Sequence, residues 1–290
     1  MSAPLPSARR TTILTLFALL ALAGNSILGR LALVDGAIDP VGFTAVRLAS
    51  GALILLPFLR SKAARGQPWQ PISALVLLAY ALPFSLAYVT LDAGVGALLL
   101  FGAVQVTMIG TGFLRGERMG PAQLIGALAA IAGFLVLVRP GLEAPDLTGS
   151  ILMASAGVAW GLYSLLGRGV TAPKVATARN FLLAAPVALL VLGLGLVPAP
   201  MPEPRGLAFA IASGALTSGL GYVIWYAALR GHTRTSAALV QLAVPMIAAA
   251  GGALLLGEAL TLRFALASIL TLGGIAVAIL GGRAVVAGSG

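Results

Sequence analysis

The sequence predicts an all-α polytopic membrane protein: ten transmembrane helices, arranged as two inverted five-helix repeats with both termini in the cytoplasm. Three observations lead there. The chain is 59% hydrophobic and only 9% charged over 290 residues, and apolar runs of about 20 residues, enough to cross a ~30 Å hydrocarbon core as helices, recur from end to end. The basic residues fall mostly in alternate connections. Positions in the first half recur in order in the second. A spanning β-barrel would instead write short alternating segments.

The helices read, in order, as 12–33, 41–60, 72–91, 94–115, 121–138, 149–168, 175–197, 206–229, 236–256 and 262–282. Helix 1 follows Arg9 and Arg10 and closes on Ser26-Ile-Leu-Gly-Arg30. The Ala21-Leu-Ala23 run before Gly24 imitates a signal-peptide cleavage site, but the repeat makes residues 24–30 part of a duplicated helix, so the segment is expected to be retained. Turn residues separate the later spans, as in "VDGAIDP", "RPGLEAPDLTG" and "VPAPMPEPRG". None of these is a flexible interdomain linker, and no length remains for a separate soluble domain.

Basic residues of short loops mark the cytoplasmic side. With the N-terminus inside, Arg9, Arg10, Arg60, Lys62, Arg65, Arg115, Arg118, Arg168, Lys174, Arg230, Arg234 and Arg283 are cytoplasmic, against Arg30, Arg139, Arg205 and Arg263 outside. The acids segregate too: Asp35, Asp39, Asp92, Glu143, Asp146, Glu203 and Glu258 fall outside and Glu117 inside.

The duplication reads as 1–140 and 141–290. Ser26 to Arg30 matches Ser164 to Arg168, and Tyr88 and Leu91 match Tyr226 and Leu229, all at an offset of 138 positions. Gly116-Glu117 matches Gly257-Glu258, and Gly133 matches Gly274, at an offset of 141. Five spans per half put the second half in the membrane upside down, an arrangement typical of secondary transporters.

On these residues the chain resembles the ten-helix EamA-type members of the drug/metabolite transporter superfamily, and within them the YddG-type aromatic amino acid exporters. The resemblance covers essentially the whole chain. It implies a bacterial inner-membrane exporter working by alternating access. It does not fix the substrate, because relatives carry amino acids, drugs and other metabolites.

The acids all lie at or beyond helix ends. A pathway without fixed charge disfavours permanently cationic drugs. It suits a neutral or zwitterionic solute met by hydroxyls, amides and helix ends, hence an aromatic or other neutral amino acid. Candidate substrate contacts are the polar and aromatic residues sharing helix faces: Tyr80 and Phe84 in helix 3, Phe101 and Gln105 in helix 4, Trp160 and Tyr163 in helix 6, and Tyr222 and Trp225 in helix 8. Asn25 and Gln241 join them, since a lipid-facing amide is costly. For Tyr88, Tyr226 and Trp69, near helix ends, packing or interfacial anchoring is the simpler role. Arg47 and Arg179 fall within two turns of the starts of equivalent helices. Snorkelling to the nearer surface is the default reading; a gating or carboxylate-binding cation is the alternative. His232 reads as a solvated loop residue. Pro83, Pro186 and Pro245 predict kinks, and Gly157-x-x-x-Gly161 and Gly274-x-x-x-Ala278 close helix contacts.

Other classes fit less well. The net charge of +10 is carried by bases scattered singly between spans, unlike a nucleic-acid footprint. With no cysteine and one histidine, thiolate and histidine metal clusters are excluded, and no cofactor is expected. An intramembrane enzyme would need a nucleophile with its base, a carboxylate pair or a metal. A channel, or an exporter of drug-like or nucleotide-related metabolites, remains as an alternative transporter reading. The expected partners are a small amino acid and the bilayer, with the monomer as the working unit.

Overall fold

A computed structural model describes residues 8–114, 120–141, 144–167, 170–195, 201–232 and 240–287. Among them every regular element is helical. The long helices are α1 (Ala8–Leu33), α2 (Pro40–Leu59), α3 (Pro71–Ala87), α4 (Ala93–Leu114), α5 (Pro121–Val138), α6 (Leu147–Leu166), α7 (Pro173–Gly193), α8 (Pro204–Leu229), α9 (Ala243–Leu256) and α10 (Leu262–Ala287). Eight are long and apolar enough to cross a membrane; α3 and α9 are shorter apolar helices.

The starts are written locally. Proline opens α2, α3, α5, α7 and α8, where its missing N–H is one the first turn leaves unpaired anyway and its fixed φ is already helical. Asp39 caps α2, its carboxylate accepting from Val41 N at 3.0 Å and Gly42 N at 2.8 Å. Asp146 caps α6 in the same way through Gly149 N. Pro245, expected deep in a span, is instead the third residue of α9, where it costs no internal hydrogen bond. Pro83 and Pro186 do lie inside helices.

Packing follows small residues. A Cβ on Gly157 of α6 would lie 2.6 Å from Ala103 Cβ, and one on Gly274 of α10 2.6 Å from Gly126 O. The helix pairs α4–α6 and α5–α10 therefore meet backbone to backbone, as the glycine spacings predict. The principal neighbours are α5 with α10, α1 with α8, α2 with α7, α2 with α8, α3 with α6, α4 with α6, α4 with α9, and α1 with α9. Large apolar side chains such as Leu53, Leu75, Ile125, Leu254 and Ile269 point outward. Such a belt is unfavourable in water and matches hydrocarbon.

One element has no counterpart in the sequence reading. Within α8, Ser213–Leu220 is a π-helix. Its wider turn re-aims side chains, a feature common at functional sites. The gentle signal is a run of small and hydroxyl residues, "SGALTSGL".

Candidate functional site

The helices bring a polar network to the middle of the bundle. Asn25 of α1 accepts through Oδ1 from Ser213, Thr217 and Ser218, at 3.1, 2.7 and 2.9 Å, all three hydroxyls belonging to the π segment. Ser218 Oγ also accepts from Arg47 Nε at 3.1 Å, and Arg47 Nη2 donates to Tyr80 OH at 3.0 Å. Four helices, α1, α2, α3 and α8, are thus joined by one chain of hydrogen bonds. The amide is buried, as the cost of an unpaired amide in hydrocarbon demands.

Arg47 overturns two expectations. It does not snorkel: it is 2% exposed, and seven residues into α2 it stands ~10 Å from that helix's start. Nor is the centre of the bundle without fixed charge. Its guanidinium lies 4.6 Å from the Phe84 ring centroid and 5.3 Å from that of Tyr80, a cation–π setting. Nη1 has no hydrogen-bond partner, and among the described residues no carboxylate makes an ion pair with this side chain. Holding such a charge away from water costs on the order of several kcal/mol. The side chain turns inward because Tyr80 and Ser218 offer oxygens there.

An aromatic cluster adjoins this network. Trp160 is its hub, with ring centroids 4.8 Å from Tyr80, 5.3 Å from Tyr163 and 5.1 Å from Tyr222. Phe181 flanks Tyr222 at 6.2 Å. Tyr163 OH accepts from Asn180 Nδ2 at 3.1 Å, while Asn180 Oδ1 is buried without a partner. Such rings offer apolar faces for stacking and hydroxyls for orientation.

Of the ten candidates, Asn25, Tyr80, Phe84, Trp160, Tyr163 and Tyr222 come together. The other four do not. Phe101 is buried in the core but makes none of the cluster's ring contacts among the described residues. Gln105 lines a separate apolar recess of about 120 Å³ between α4, α5 and α10. Trp225, one turn beyond Tyr222 on α8, is partly exposed and makes none of the cluster's ring contacts among the described residues. Gln241 is half-buried just before α9 rather than inside it. Asn180 and Phe181 are the cluster residues that reading missed, and Arg47 is one it held only as the alternative to snorkelling. The available signal was a parallel spelling: Pro40-x-x-x-Thr44-x-x-Arg47 and Pro173-x-x-x-Thr177-x-x-Asn180 put a polar residue at one position of two helices.

The two ends of the bundle differ. At the end holding the α3–α4 and α9–α10 connections, Arg30 Nε meets Glu258 Oε1 at 3.2 Å, and Nη2 stands 3.6 Å from Asp92. Arg30 Nη1 donates to the carbonyls of Tyr88 and Val89 at 3.1 and 2.9 Å. Glu258 Oε2 accepts from Ala93 N at 2.8 Å, at the first residue of α4. Gly257, with φ of 69°, ends α9 in the left-handed conformation that turns Glu258 back toward α4. Burial pushes the Glu258 carboxyl above its ordinary value, against the opposing pull of the Ala93 N–H and of Arg30. Acids read as topology marks are thus partners of Arg30.

At the opposite end, a narrow cleft of about 10 Å³ borders the cluster, lined among others by Gln70, Ser73, Tyr163, Asn180 and Tyr226. Arg179, unlike Arg47, reaches its nearer surface: it donates to the Ala64 carbonyl at 2.9 Å and to that of Gln67. Its guanidinium lies 4.8 Å from the ring of exposed Trp69. His232, read as solvated, has Nε2 2.7 Å from Thr15 Oγ1 and is only partly exposed. The matched Gly116-Glu117, Arg168 and Arg234 lie outside the described residues.

Comparison with known proteins agrees with this architecture. The EamA-like transporter family matches residues 147–280. An uncharacterised protein, PA1977, of Pseudomonas aeruginosa is 53% identical over 93% of this chain and 94% of its own. The threonine/homoserine exporter RhtA of Escherichia coli strain K12 is 32% identical over 76% of this chain and 75% of its own. A crystal structure superimposes with a TM-score of 0.64 at 26% identity, covering 94% of this chain and 98% of the other. With a helical bundle belted by apolar side chains and a relative of this closeness, the chain belongs to the EamA-like transporter family, within the drug/metabolite transporter superfamily.

Proposed function

We propose that this protein is a secondary transporter that exports amino acids, aromatic and other neutral ones among them, from the bacterial cytoplasm by alternating access. The observation that carries the reading is the cluster at the centre of the bundle. It joins hydroxyls, an amide, an arginine and stacked rings from α1, α2, α3, α6, α7 and α8, so it draws on both halves of the chain. The exporter activity of RhtA points the same way.

In this reading α1–α5 and α6–α10 are two inverted repeats crossing the inner membrane ten times, with both termini in the cytoplasm. The packing supports it. Exchanging each helix for the one five places on turns the α3–α6 contact into α8–α1 and α4–α6 into α9–α1, and leaves α2–α7, α4–α9 and α5–α10 unchanged. Substrate binds among Asn25, Tyr80, Phe84, Trp160, Tyr163 and Tyr222. The halves rock about it, with the monomer as the unit. The cleft beside Tyr226 is the cytoplasmic approach, and the Arg30 ion pairs close the outer one.

The test is counterflow in proteoliposomes of the purified chain, using labelled L-threonine, L-homoserine and L-phenylalanine. Saturable, protein-dependent uptake of at least one is expected. Uptake of none, across a full amino-acid panel with and without a pH gradient, would sink the reading.

A further inference from the structure

We propose that Arg47 receives the carboxylate of the transported solute, so that this transporter selects its cargo by a carboxyl group. The inference rests on the transporter reading above and names the chemical group that the central site recognises.

A guanidinium stays protonated at any pH the cell offers. Here it is 2% exposed, and both of its protein partners, Ser218 Oγ and Tyr80 OH, are neutral. Hydroxyl dipoles orient an arginine without cancelling its charge. Among the described residues the acids that form ion pairs do so with Arg30 and Arg205, at helix ends. An ionised side chain inside a membrane bundle marks a ligand or ion path by default, and the counter-ion that no described residue provides must be supplied by something else.

Geometry narrows what supplies it. Phe84 and Tyr80 hold their rings against the guanidinium, and Nε and Nη2 are engaged. Nη1 alone is buried and unpartnered. A carboxylate oxygen is the acceptor that would meet this N–H, since charge-assisted hydrogen bonds from arginine to carboxylates are among the strongest. Tyr80, which fixes the guanidinium, also packs on Trp160. A carboxylate at Arg47 therefore leaves the rest of the solute facing the aromatic cluster. An α-amino acid meets both demands.

The experiment compares each amino acid with its own carboxamide, which keeps the shape and loses the anion. Purified full-length protein is titrated by calorimetry with L-threonine, L-phenylalanine and their amides. The same compounds compete in counterflow. In the wild type the amides should bind about tenfold or more weakly, the loss expected for a hydrogen bond to a charged group. R47Q should lose a similar factor for the acids and bring the acid-to-amide ratio close to one. R47K should recover part of the preference. Y80F should weaken binding of acids severalfold while keeping the ratio above one.

Equal binding of acid and amide by the wild type overturns the proposal, as does an R47Q protein that keeps wild-type affinity and preference. Either result would make the buried charge the partner of an anion other than the cargo. If R47Q does not fold, the wild-type acid–amide comparison decides alone. The two readings separate cleanly. Carriage of hydroxy acids or other monocarboxylates but no amino acid would refute the amino-acid reading and leave Arg47's role standing. Equal carriage of amino acids and amides would do the reverse.

Discussion

Tyr88-x-x-Leu91 and Tyr226-x-x-Leu229 are turns of one spelling at opposite ends of the bundle, and they are in opposite states. Tyr88 and Leu91 are fully buried; Tyr88 packs edge-on to Phe84 at 4.8 Å, and Arg30 ties down the carbonyls of Tyr88 and Val89. Tyr226 borders a cleft that leads to Tyr163 and Asn180. The recess beside Asp92 and Glu258, about 10 Å³, has no cluster residue in its lining. Identical turn chemistry therefore does not set which end is shut. The difference lies in what is tied across it, and a transporter that alternates must exchange these two states.

The largest effect should come from cutting that tie. The chain has no cysteine, so a single L91C reports access at the closed end and a single Y226C at the other. Replacing Arg30 by Glu sets like charges against Glu258 and Asp92. Maleimide labelling of L91C should then rise about tenfold or more, and that of Y226C should fall. Adding E258R should restore part of the closure, because the pair is reformed with its charges exchanged. Unchanged labelling of L91C in R30E would show that side-chain packing, not the ion pairs, holds this end.

A second effect tests the packing that carries both ends. In G274V a branched side chain would run into the backbone of α5, where even a Cβ falls 2.6 Å from Gly126 O. Overpacking of this kind costs about 1–3 kcal/mol. A fall in melting temperature is expected, with affinity in the surviving folded protein unchanged, because α5 and α10 supply no cluster residue. Loss of affinity without loss of stability would tie this pair to the site.

Asn180 offers a smaller and more local change. N180A removes the donor to Tyr163 OH and an acceptor facing the cleft. A threefold to tenfold rise in KM is expected, with kcat little changed. A fall in kcat at constant KM would assign Asn180 to the conformational step instead.

The smallest effect is of pH. The Glu258 carboxyl is raised in the closed state, and in an open, hydrated state it would return to its ordinary value. The closed state therefore binds the proton more readily. Its share grows as pH falls through the raised value, and the gain is complete below the ordinary carboxylate range. L91C labelling, corrected for thiolate fraction, should slow by twofold to threefold on acidification. It should lose that dependence in E258Q. The opposite slope would mean that the ion pair with Arg30, rather than burial, dominates the linkage.

The apolar lengths, the prolines at N1 and the acidic caps of α2 and α6 fix helix starts through the nearest few residues, so the helices were legible. The glycine contacts of α4–α6 and α5–α10 were legible too, since spacing of small residues is itself a packing instruction. Six of the ten candidate residues meet because they are aromatic or amide groups on inward faces, a property of period and composition. The π segment was not legible, because its register depends on what Ser213, Thr217 and Ser218 find across the gap, and they find Asn25.

Arg47 marks the boundary between the two kinds of knowledge. By residue type and depth it and Arg179 are alike, an arginine two turns into a span with a nearby surface to reach, although the shared Pro-x-x-x-Thr spelling pairs Arg47 with Asn180. Arg179 finds carbonyl oxygens at its surface. Arg47 finds Tyr80 and Ser218 inside, from helices far away in the chain. The sequence by itself determined a polytopic helical bundle and the inward face of six of its candidate residues, because these follow from local length, period and caps. Only the tertiary structure decided which arginine is buried, which acids become a tie and which end is shut. Each of those outcomes depends on partners that distant helices bring within hydrogen-bonding range.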